Sequence, residues 1–419
     1  MLDRTQAPPF VKSTSFDLIQ PLKATLAGGA DAYFVLGGSQ NVCKIELLFQ
    51  AGRWSERSFG AGYFTSNLLS KGTASKSSYQ IAQAFDQLGA HLEINPGADF
   101  VSIALYSLSR NVETSLKLLI ELLLESTFPD KELAQLKTIF LQNLRVNKEK
   151  TSFRSSVLFR RALYGTSHPY GKELDEDDVK LVGRDQVIDH FNSFFKQATL
   201  VISGKVSEEQ QRFIISAFNF LKHQAMAPAD VLIPKLNKTS EIISKVGSIQ
   251  ASIRMGKPFF GRLHPDYPAA ISLNHVLGGY FGSRLMKNIR EEKGLTYGIS
   301  SSVSLALHGN HFVVGADVNL ENVELAFSEI KKEMKRLREE PIEAAELETA
   351  RNHFIGNLQL EITTSFAHAD KVKNLVIFGL PDDYYQRLIT RVDSVTTDDL
   401  IDVANRHFQE EELLEIAVG

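Results

Sequence analysis

The feature that most limits what this chain can fold into is that it repeats itself at half its own length. Asn111-Val112-Glu113 opens an apolar-periodic helix, and Asn322-Val323-Glu324 opens another 211 residues later. Asn143-Leu144 lies in the tail of a following helical stretch, and Asn357-Leu358 recurs in a matching one at a distance of 214. Val182-Gly183-Arg184-Asp185-Gln186-Val187-Ile188-Asp189 is echoed by Val395-Thr396-Thr397-Asp398-Asp399-Leu400-Ile401-Asp402 at 213. Each copy then reaches a phenylalanine, Phe195 or Phe408, and a short apolar strand. Three echoes at nearly one offset predict two homologous halves.

Within a half the pattern is mixed. Lys44 to Gln50 alternates like a strand with one buried face, as do Phe100 to Tyr106 and His311 to Gly315. Ser78 to Leu88 carries Ile81, Ala82, Phe85 and Leu88 on one helical face, with Gly89 as its C-terminal cap. Leu133 to Val146 repeats Leu133, Leu136, Phe140 and Leu144 at helical spacing. These elements predict an α+β fold in which each half is a mostly antiparallel sheet packed with helices. The polar, proline-bearing stretch from His223 to Ser240 is the best linker. The expected domains are residues 1–229 and 230–419.

Composition narrows the function. With 46 basic and 50 acidic residues the net charge is −4, so there is no basic field for nucleic acid. The single cysteine, Cys43, cannot form an internal disulfide and reads as an ordinary strand position. Met1 to Pro9 lacks a basic and then apolar leader, and no apolar run reaches the ~20 residues that span a bilayer. Leu116 to Leu124 comes closest and is interrupted by Lys117 and Glu121. The expectation is a cytoplasmic protein without a membrane segment, with a periplasmic location left open.

Gly62-Tyr63-Phe64-Thr65-Ser66-Asn67-Leu68-Leu69-Ser70-Lys71-Gly72-Thr73 precedes the helix capped by Gly89. His168-Pro169-Tyr170-Gly171 follows, and the second half holds Ser283-Arg284-Leu285 and Ile289 to Tyr297, with Gly379-Leu380-Pro381 near the end. In this order and spacing the chain resembles the insulinase/pitrilysin zinc peptidases, most closely the short-subunit branch that includes mitochondrial processing peptidase. The resemblance covers nearly the whole chain and implies the metallohydrolase fold of that branch.

Active members carry His-x-x-Glu-His on the helix before Lys-Gly-Thr. Residues i and i+4 share one helical face, so two imidazoles reach one Zn²⁺ while the intervening glutamate activates water. A glutamate on a later helix completes the ligands. By resemblance the first histidine position falls on Tyr63, the glutamate on Ser66, the second histidine on Asn67 and the distal glutamate on Asn143. None is an acid or an imidazole. Asn and Ser oxygens are weak neutral ligands, and a tyrosine would have to ionise far below its usual pKa of about 10. No zinc is expected in this chain.

None of the eleven histidines stands in His-x-x-Glu-His or His-Glu-x-x-His. His308 and His311 form the one close pair and read as a solvated turn. His353 reads as a surface or packing histidine. Gly278-Gly279-Tyr280-Phe281-Gly282 lacks the Gly-Lys-Ser/Thr ending of a phosphate loop. Glu173, Asp175, Glu176, Asp177 and Asp178 lack calcium-loop spacing and read as a solvated loop.

Family members that handle substrate carry an arginine and a tyrosine seven residues apart in the second half, matched here by Arg290 and Tyr297. An arginine fork and a phenol can hold a peptide carbonyl and a developing oxyanion. The plainer alternative pairs Arg290 with Glu291 or Glu292 and leaves Tyr297 a half-buried strand aromatic. The resemblance therefore implies a non-catalytic subunit that binds peptide and works in a heterodimer with a zinc-bearing homologue. The competing expectations are a structural scaffold without a peptidase role, and a peptide-binding module or homodimer without any peptidase partner.

Overall fold

The computed structural model describes residues 14–224 and 240–419. The N-terminal stretch Met1 to Pro9, the centre of the expected linker and the boundary near residue 230 lie outside the described residues.

The first half opens with β1 (Leu22–Thr25), β2 (Asp31–Leu36), β3 (Val42–Phe49), α1 (Ala61–Leu68), α2 (Ser78–Gln87), β4 (His91–Pro96) and β5 (Val101–Leu108). It continues through α3 (Val112–Glu125), α4 (Asp130–Lys148), α5 (Thr151–Tyr164), α6 (Glu176–Leu181), α7 (Arg184–Phe194), β6 (Thr199–Gly204) and α8 (Glu208–Ala217). The second half runs β7 (Ser240–Ile243), β8 (Gln250–Phe259), α9 (Tyr267–Gly278), a π-helical turn (Met286–Glu292), β9 (Thr296–Ser304) and β10 (Asn310–Asn319). Then come α10 (Val323–Glu339), α11 (Ala344–Leu360), α12 (Ser365–Ile377), α13 (Tyr384–Ser394), α14 (Thr397–His407) and β11 (Leu414–Val418).

The sheets repeat one topology. The first has the order β1-β2-β6-β3-β5-β4 and the second β7-β11-β8-β10-β9, so among the described residues β1 is the only strand without a counterpart in the other sheet. In each, one parallel pair (β2 with β6, β7 with β11) joins an otherwise antiparallel ladder. The sequence echoes land on matching joints. Asn111 and Asn322 cap α3 and α10 with nearly the same backbone angles, φ −108° and −102°. Phe195 and Phe408 close α7 and α14 and are both buried. Each sheet has its own apolar core.

The halves exchange helices. α5 of the first half packs on β8 and β11, and α12 of the second half packs on β2 and β6. This corrects the reading of β3 as a strand with one buried face. Its outer face is covered by α12, so Lys44 and Glu46 are 6% and 3% exposed. They survive there because they are paired. Glu46 bonds Lys44 at 2.7 Å, Lys373 of α12 at 2.9 Å and the Ser102 hydroxyl at 2.7 Å. Burial disfavours the charged Glu46, but the two lysines outweigh it and hold the carboxyl below its ordinary value.

The His308–His311 segment is not a solvated turn. His308 stacks on Trp54 of the first half at 3.7 Å, and His311 Nδ1 lies 2.8 Å from the Tyr164 hydroxyl. Gly309 is needed there, because a Cβ would come within 2.7 Å of the Tyr164 ring. The turn plugs an aromatic cage, and burial lowers the His311 pKa to about 4. The acidic run is likewise tied down: Asp175 caps α6, Glu173 bonds Arg160 and Asp178 bonds Lys172. Cys43 is fully buried in β3, its thiol pushed up to about 12 by that burial.

Candidate functional site

α1 begins at Gly60, whose φ of +92° suits glycine. The Glu56 carboxylate accepts from the Gly60 and Gly62 amides at 2.7 and 2.9 Å, satisfying donors that the first turn leaves open. Burial raises its pKa although these bonds oppose the shift. His190, close to Gly62, is bonded through Nε2 to the Ala51 carbonyl at 2.9 Å. Thus both an acid and an imidazole stand near the start of α1, each bonded to backbone groups.

One helix carries Tyr63, Ser66 and Asn67. Tyr63 sets its ring edge-on to Phe140 of α4, with centroids 5.1 Å apart. Burial raises the Tyr63 pKa, which moves it away from the phenolate a metal would need. Ser66 is fully buried and gives its hydroxyl to the Gly62 carbonyl at 2.7 Å. The Asn67 amide donates to the Tyr63 carbonyl at 2.8 Å. Asn143 lies one turn beyond Phe140 and is exposed. α1 and α4 therefore meet through aromatic packing, and Phe140 rather than Asn143 makes the contact. Phe140 stood in the sequence as one more member of an apolar stripe, and nothing local marks it as Tyr63's partner.

In the second half, Arg290 sits on the π-helical turn and Tyr297 near the start of β9. The Arg290 guanidinium lies 4.5 Å over the Phe281 ring and 3.8 Å from Glu291, a loose pair. Tyr297 is 93% exposed, not half-buried. The turn is held from behind. The Asn288 side-chain amide nitrogen donates to Glu329 and Glu333 of α10 at 3.0 and 2.7 Å, and the Lys293 ammonium donates to the Asn288 side-chain oxygen Oδ1 at 2.8 Å. Glu329 and Glu333 look like solvated helix charges in the sequence, yet both are buried. The glycine loop has a packing role, since a Cβ on Gly278 would strike Ser301 at 2.6 Å.

Residues 37–168 match the family model for insulinase (peptidase family M16), and residues 182–354 match that for the peptidase M16 inactive domain. The chain belongs to the insulinase (M16) family, as a member without the zinc-motif residues. It is 23% identical to the uncharacterized zinc protease YmxG of Bacillus subtilis, over 76% of this chain and 79% of that one. It is also 23% identical to the non-peptidase homolog YmxG of Helicobacter pylori, over 87% and 85%. The mitochondrial-processing peptidase subunit beta of Saccharomyces cerevisiae is 20% identical over 86% and 82%. A crystal structure of a peptidase M16 inactive domain from Pseudomonas fluorescens shares the fold, with TM-score 0.85, 24% identity and coverage of 95% and 98%. Among the described residues no helix is long and apolar enough to cross a membrane.

Proposed function

We propose that this chain is the non-catalytic subunit of a two-subunit M16 peptidase, lending Arg290 and Tyr297 to a peptide held against a zinc-bearing homologue. The observation that carries the reading is the contrast between the two sites. The positions that the resemblance assigns to the zinc ligands and the water-activating glutamate are all neutral, with Tyr63 packed on Phe140, Ser66 and Asn67 bonded within their own helix and Asn143 exposed, whereas Arg290 is only loosely paired and Tyr297 is exposed. The Phe281 ring and the Asn288 network support a preorganised arginine, which spends little entropy in binding a carbonyl. Zinc and the water-activating glutamate belong to the partner in this scheme.

The test is a reconstituted pair with a homologue that carries His-x-x-Glu-His. Arg290→Ala lowers peptide turnover by about 100-fold, as loss of one oxyanion donor does, with the melting temperature unchanged. Undiminished turnover would leave the chain a structural scaffold.

A further inference from the structure

A second set of metal-type donors stands apart from α1 and α4. His264 and Asp266 lie on the turn that leads from β8 into α9, and His407 is the last residue of α14. One ligand atom from each lies within 4.8 Å of the others, and among the described residues this is the one such group of three. The turn is rigid. His264 donates its amide to the Gly261 carbonyl, Tyr267 donates to the His264 carbonyl, and Pro265 and Pro268 bracket Asp266. Phe260 stacks on the His264 ring at 4.1 Å and meets the His407 ring edge-on at 4.6 Å, so one aromatic orients both imidazoles.

We infer that His264, Asp266 and His407 form a binding site for a divalent transition ion of the zinc class. Two imidazoles and one carboxylate are the donor set such ions prefer, and they leave coordination positions for water. The group borders an open cleft of about 620 Å³ lined by Arg262, His264, Asp266, Asp402 and Arg406, which gives an ion a route in. His407 Nε2 is already 2.7 Å from Asp266 Oδ2, so that pair has nearly the spacing of adjacent ligands. His264 Nδ1 accepts the Asp266 amide at 3.1 Å, which fixes the ring against the turn, and closing the set around an ion requires the three donors to draw together from their present spacing. Arg406 donates to Asp266 at 2.6 Å. It orients the carboxylate and also competes with the ion, and its half-exposed side chain can move aside. The resulting site is one that fills when metal is supplied.

The full chain, stripped with chelator and titrated with Co²⁺, takes up one equivalent and develops visible d–d absorption that Zn²⁺ then bleaches. His264→Gln and His407→Gln each weaken binding at least about tenfold, whereas Asn67→Ala leaves it unchanged. Zn²⁺ raises the melting temperature of the wild type but not of His264→Gln, whose fold is checked by circular dichroism. A wild-type chain that binds no Co²⁺ overturns the site whatever the variants do. Full binding by a folded His264→Gln, or loss of binding in Asn67→Ala, overturns it as well.

Discussion

The two halves hold the same pair of helices together by different means. In the first half, α1 and α4 meet through the Tyr63 and Phe140 rings. Their second-half counterparts, α9 and α11, are joined by polar groups beside an edge-on contact of His275 with Phe354. His275 Nε2 lies 3.0 Å from His353 Nδ1, and Arg284, preceding the π-helical turn, makes a bidentate pair with Glu346 at 2.8 and 2.9 Å. Tyr280 stacks on His275 at 4.9 Å. The frame thus tolerates either filling, because sheet order and helix sequence fix where the helices run. What the frame does chemically depends on a handful of side chains, and in α1 Tyr63 and Ser66 are taken up by ring packing and by a bond within the helix.

The largest way to break this comparison is to place a carboxylate at Ser66, the position to which the resemblance assigns the family's glutamate. Ser66 is fully buried and bonded within its own helix, so a carboxylate there has no partner. Ser66→Glu should cost at least about 3 kcal/mol, the scale of an unpaired buried charge, read as a lower urea midpoint. A loss below about 1 kcal/mol would mean that the α1 cleft is open to water and retains room for the chemistry.

The polar filling of the second half is sharpened by acid. Burial, with His353 beside it, lowers the His275 pKa from 6.5 to about 4. The native state refuses a proton that the unfolded chain accepts, so the contribution is fully present above pH 6.5 and is lost as pH falls toward 4. The upper bound is about 3 kcal/mol. His311 contributes in the same sense, so the readout is the difference between wild type and His275→Gln. The two stability curves should converge as pH drops from 7 to 4. Parallel curves would remove the histidine pair from the account of how α9 and α11 are joined.

The sequence made the duplication, the strands and the helix caps legible because each is written locally. Asn111 and Asn322, or Phe195 and Phe408, announce matching joints without reference to anything distant. What stayed hidden is non-local. Lys44 and Glu46 read as solvent-facing until α12, from the other half, covers them. His308 and His311 read as a turn until Trp54 and Tyr164 close on them. The cluster of His264, Asp266 and His407 joins residues more than a hundred positions apart, and no spacing rule reaches that far.

The smallest expected effect is the most discriminating. The resemblance assigns Tyr63 to a histidine-ligand position, and its phenol could be either a polar remnant of that role or an ordinary packing ring. Burial raises its pKa, and its ring contacts are with Phe64 and Phe140. If packing is the whole role, Tyr63→Phe should change stability by less than about 0.5 kcal/mol, whereas Tyr63→Ala should cost about 2 kcal/mol by leaving Phe140 without its partner. Denaturant melts of the two variants separate the ring from the hydroxyl. A Tyr63→Phe loss as large as that of Tyr63→Ala would show the hydroxyl holding something in the cleft, and the first half could no longer be described as filled by aromatic packing alone.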